Sequence, residues 1–106
     1  MHVPAVTLEH PEVRVIQPTW HCLLRFRQRW RPAVGTDAAV QALVDALREA
    51  DIGSSPPAWA AGESASRWAT VGPCAFPLMP SGASGTWTAT TCLLGPVRRS
   101  PRSRAR

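Results

Sequence analysis

Residues 35–50 read GTDAAVQALVDALREA, and the parsing of the whole chain starts from this stretch. Val40, Leu43, Val44 and Leu47 fall at i, i+3, i+4 and i+7, the period of an amphipathic helix. Thr36 is placed to cap its start, Asp37 suits the positive end of its dipole, and Gly53 is placed to stop it. A second helical stretch lies upstream. Thr19 reads as an N-cap for a helix from Trp20 to about Arg31, stopped by Pro32. At about 100° per residue, Cys22, Leu23, Phe26 and Trp30 share one face, which is expected to be core. Before it, Glu12 to Gln17 alternates as a short strand that Pro18 ends.

Downstream the period changes to two. Residues 54–66 carry Pro56, Pro57 and Gly62 and read as a loop, pinned by Trp59. Arg67 to Gly72 reads as a strand. Cys74 to Leu78 reads as a second, which Pro73 and Pro77 mark as edge or irregular. Residues 80–85 form the turn into Thr86 to Leu94, expected to be the longest strand and ended by Gly95-Pro96.

The order is strand, helix, helix, then a three-stranded antiparallel meander. This is an α+β pattern with helices on one face of a small sheet. The expected domain is residues 13–96. Residues 1–12 hold Pro4 and Pro11 without periodicity and read as a flexible N-terminal arm. Residues 97–106 read as a disordered, Arg-rich C-terminal tail.

Charge is unevenly placed. The chain has 106 residues, 12 Lys+Arg and 7 Asp+Glu, and every basic residue is Arg. Five of them, Arg98, Arg99, Arg102, Arg104 and Arg106, lie in the tail, so the net charge of +5 resides there. The length excludes a large multidomain enzyme. Arg-only basicity with abundant Ala and Pro fits a GC-rich genome, most simply an actinobacterium or its phage. No run approaches the ~18–20 apolar residues that span a bilayer, and residues 1–10 lack the layout of a secretory signal. Three cysteines, Cys22, Cys74 and Cys92, form no disulfide framework and imply reduced thiols in a cytoplasmic compartment.

The sharpest chemical feature is His21-x-x-x-Arg25-x-x-x-Arg29. On a helix each step advances ~6 Å, so the three groups span about 12 Å of one face. Guanidinium forks suit phosphate, and an imidazole can move a proton at a ribose 2′-hydroxyl. The alternative is an ordinary exposed helix face. The tail is the second feature, able to bind nucleic acid without reading sequence, or else a solvated extension. A zinc site from His2, His10, His21 and the cysteines lacks any C-x-x-C or H-x3-5-H spacing, so no metal and no cofactor is expected. The five Trp, at 20, 30, 59, 68 and 87, could stack bases, but their spacing fits core or loop anchors better. There is no Gly-rich phosphate loop and no paired-carboxylate motif.

TWHCLLRFRQRW, followed by a capped helix and then RWATVG, CAFPL and TWTATTCLLGP, resembles a set of small actinobacterial and phage proteins. These are similar to the domains grouped with RelE-type toxins in the barnase–EndoU–colicin–RelE-like ribonuclease superfamily. The resemblance spans about residues 13–96. His21, Arg25 and Arg29 fit its helix signature, and Thr88, Thr90 and Thr91 fall where such folds carry polar residues on the last strand. It implies a metal-independent, toxin-type endoribonuclease. His21 would be acid or base, Arg25 and Arg29 would hold the scissile phosphate, and RNA and a cognate antitoxin would be partners.

Two readings therefore stand side by side: that ribonuclease, and a non-catalytic nucleic-acid- or protein-binding module of phage or mobile-element origin. The chain has no Lys and no Tyr, which RelE-type toxins often use, and this favours the second. A plain small protein with incidental termini is the third.

Overall fold

The computed structural model describes residues 3–30, 33–60 and 65–95. In chain order its elements are β1 (Val6–Thr7), β2 (Val15–Pro18), α1 (Trp20–Trp30), α2 (Thr36–Glu49), β3 (Asp51–Gly53), a 3₁₀ turn at Ala58–Ala60, β4 (Arg67–Val71), β5 (Cys74–Pro80), β6 (Thr86–Ala89) and β7 (Leu93–Leu94). The α+β class and the β4–β5–β6 meander match the sequence pattern. The sheet is larger than expected and runs β1-β2-β6-β5-β4-β3, with β7 also paired to β5. All pairings are antiparallel except β2 with β6, which is parallel.

Both helices present their apolar stripes to the sheet. Cys22, Leu23 and Phe26 of α1 and Leu43, Val44 and Leu47 of α2 are buried, as their spacing predicts. They meet Val6, Val13, Ile16, Ala69, Cys74, Phe76, Leu78 and Ala89. Phe26 lies edge-on to Trp30 at 5.4 Å and tilted to Phe76 at 6.2 Å. Thr19 caps α1 as expected: its Oγ1 accepts the Cys22 N–H at 3.0 Å and donates to the Thr90 carbonyl at 3.2 Å. The helix start is thereby tied to the end of β6. At α2 the capping residue is Gly35, not Thr36, and no side chain caps. The helix ends at Glu49 with Ala50 as its C-cap, before Gly53, which instead sits in β3.

Three further expectations are corrected. First, the sequence pattern predicts a flexible arm over residues 1–12. In fact Val6 and Thr7 pair with Ile16 and Val15, and Val3 is buried. The Gln17 amide donates to the Val3 carbonyl at 2.6 Å. Prolines hid this strand, because a two-residue pairing leaves no periodicity to read. Second, β5 is interior rather than an edge. The Pro77 carbonyl receives the Thr90 N–H at 3.4 Å, so the ring nitrogen faces the same side, where β6 has ended and β7 has not begun. The missing N–H costs no ladder bond there.

Third, and for the same reason, Thr86 to Leu94 is two strands, not one. Pro77 offers this segment a carbonyl but no N–H, the alternation resets, and Ala89 and Cys92, three apart, are both buried. The face of the sheet away from the helices is covered too. Trp68 and Ala75 point away from the helices and are buried under Ala60 of the 54–66 segment, with Ala65 and Leu93 alongside. Trp59 lies against Gly95, where a Cβ would meet its ring at 2.5 Å, so this loop is pinned as expected.

Candidate functional site

α1 begins where Thr19 is fixed and turns its apolar stripe inward, which sets the outward face. Trp20 and Leu24 stand exposed on that face, 41% and 36% accessible. His21 and Arg29 are exposed beside them and Arg25 is half-buried. α1 contains no acidic residue and three Arg, at 25, 27 and 29. The row expected from the spacing is therefore present on one helix surface.

The members differ in their bonds. Arg25 donates from Nη1 to the Gln28 side chain at 3.2 Å, a neighbour on the same exposed face. Arg29 donates from Nη1 to the Cys92 carbonyl at 3.1 Å. Arg29 thus braces α1 against the segment between β6 and β7, and its other N–H groups bond to no described residue. Arg27, off the row, donates to the Val34 carbonyl at 2.8 Å and holds the connection to α2. His21 forms no hydrogen bond among the described residues. Thr88, Thr90 and Thr91 are half-buried; the carbonyls of Thr90 and Thr91 serve α1 by receiving Thr19 Oγ1 and the Cys22 thiol.

Burial pushes the Cys22 thiol up, and neighbouring Cys92 adds to this. All three cysteines are buried and none is in a disulfide, so they act as small core residues. Among the described residues no three of His, Cys, Asp and Glu gather where a metal ion could be held. No helix among the described residues is long and apolar enough to cross a membrane. The tail residues Arg98, Arg99, Arg102, Arg104 and Arg106 lie outside the described residues.

A second polar assembly joins Glu12, Arg67 and Trp87. Glu12 pairs bidentately with Arg67, at 2.9 and 3.1 Å. The Arg67 guanidinium lies 6.0 Å from the Trp87 ring centroid, and the Trp87 indole N–H donates to the Glu12 carbonyl at 3.1 Å. The hydrogen bonds from Arg67 and its charge hold the Glu12 carboxyl below its usual value. The His10 ring accepts the backbone N–H groups of Glu12 and Val13 through Nδ1, at 3.0 and 3.1 Å. These residues come from distant parts of the chain, and no local spacing signals the pairing. Glu12 and Trp87 also line a cleft against the 80–86 turn.

With this geometry in hand, comparison with known proteins adds no relative: no family model, no curated protein and no solved structure matches the chain.

Proposed function

We propose that the chain is a small nucleic-acid-binding module that engages RNA through the outward face of α1. One observation carries the reading: exposed Trp20 and Leu24 lie beside His21, Arg25 and Arg29 on a helix without a carboxylate. Arg forks meet phosphates, and an exposed indole offers a face for an unpaired base. Binding of this kind weakens with salt, because each neutralised phosphate releases condensed counterions. Titration of a fluorescent single-stranded RNA at several salt concentrations tests it. The expected result is salt-dependent binding that weakens in Arg25→Ala, Arg29→Ala and Trp20→Ala. Salt-independent binding, or variants indistinguishable from wild type, would sink it.

The endoribonuclease reading has one observation in its favour. His21 is exposed and unbonded among the described residues, so its imidazole is open to a ribose 2′-hydroxyl. A catalytic base, however, is ordinarily oriented by a third group, and none of the described side chains orients His21. RNA cleavage in EDTA that His21→Ala abolishes would promote this reading over binding alone. An antitoxin partner belongs to it and stands or falls with that assay.

A further inference from the structure

The geometry points to a second ligand site, distinct from α1: the cleft between the Pro11–Arg14 segment and the 80–86 turn takes a phosphate monoester. The cleft encloses about 490 Å³ and is lined by Arg14, Ser81, Ser84, Glu12 and Trp87 with the turn's backbone. Three features favour this anion. The turn holds two glycines in the left-handed region, Gly82 at φ +58° and Gly85 at φ +83°. Turns of that kind line up successive N–H groups into a concave anion cradle. The turn's own hydrogen bonds use the N–H groups of Ser81 and Thr86 as donors, which go to the Thr86 and Ala83 carbonyls. The N–H groups of the four residues between are engaged in no such bond among the described residues.

Arg14 supplies the charge. Its stem lies on Gly85, where a Cβ would meet Arg14 Cγ and Cδ at 3.3 Å. Gly85 is favoured by its positive φ, and an added Cβ would also press on this side chain, which would have to give by a few tenths of an ångström. The Gly85 carbonyl accepts the N–H groups of Arg14 and Val15, at 2.8 and 3.0 Å, so the arginine is fixed relative to the turn at the backbone. The guanidinium is exposed and has no bonded partner among the described residues. Ser81 and Ser84 add hydroxyls that donate to no described group. The one carboxylate in the cleft, Glu12, is already neutralised by its two-pronged pair with Arg67. A monoester, rather than the diester of a nucleic-acid backbone, fits because it carries nearly two charges and three acceptor oxygens.

Calorimetric titration of the full chain with inorganic phosphate and with a nucleoside 5′-monophosphate tests the site. Comparable binding of both would mean that the phosphate alone is recognised. Tighter binding of the nucleotide would add a contact to its base or sugar. Both support the site if Arg14→Met, which keeps the stem on Gly85 and removes the charge, weakens binding about tenfold or more. Ser84→Asp, an exposed substitution that places a negative charge in the cleft, should abolish it. Thermal melts of both variants should match wild type. No saturable binding by wild type would overturn the proposal. So would binding that survives Arg14→Met and Ser84→Asp, or that is lost in Arg25→Ala and Arg29→Ala, which places the anion on α1.

Discussion

Arg25 and Arg29 stand four residues apart on one helix face, yet the structure gives them different duties, and truncating each in turn separates them. Arg29 donates to the Cys92 carbonyl at 3.1 Å across the α1–β7 junction, while Arg25 reaches only Gln28. A hydrogen bond from a charged donor is worth about 1.5–3 kcal/mol when sheltered. Arg29 is exposed, so about 1 kcal/mol is the reasonable figure for Arg29→Ala. For a domain of this size that lowers Tm by about 4–8 °C. Arg25→Ala loses a solvent-facing bond and should leave Tm almost unchanged.

The binding readout behaves differently. On single-stranded RNA each neutralised phosphate contributes about 0.7 to the salt slope, so a fourfold rise in salt weakens binding about 2.6-fold per contact. Each variant should lower the slope by about one contact. Thermal melts by circular dichroism and RNA titrations at four salt concentrations give both numbers. Equal Tm for the two variants would refute the bracing role of Arg29. An unchanged slope in both would refute their contact with phosphate.

Other outcomes follow from the same geometry. Thr19→Ala removes a cap that joins α1 to β6 and should cost about 1–2 kcal/mol in a denaturant melt, whereas Thr36→Ala, which caps nothing, should cost far less. Because Arg67 lowers the Glu12 carboxyl below 4.5, the pair's stabilisation is complete above that value and is lost as pH falls through the lowered native value. Arg67→Met should flatten that part of the acid limb. Cys22, Cys74 and Cys92 should resist alkylation in the native chain at neutral pH and react at once in denaturant, followed by intact mass.

What could be read from the chain was whatever repeats within one element. The i, i+3, i+4, i+7 stripe of α2 and the Cys22, Leu23, Phe26 face of α1 were legible because burial follows the helical period. From the same period came the outward position of His21, Arg25 and Arg29. Pairings without a period were not legible. Val6–Thr7 and Asp51–Gly53 are too short to show alternation, and they gain strand structure only from the neighbours they meet. Pro77 argued for an edge, but the structure places it opposite a gap, so one residue both sits inside the sheet and splits the strand beside it. The Glu12–Arg67–Trp87 assembly and the cleft next to it join residues up to 75 positions apart, which only the folded chain brings together.

The measurement that bears most directly on α1 as the binding face is charge reversal. Full-length chain with Arg25→Glu and Arg29→Glu, its folding checked by a cooperative melt, is titrated with fluorescent single-stranded RNA beside wild type at low salt. Loss of binding with the tail arginines intact is the predicted result; binding as tight as wild type would contradict it and move the contact away from α1.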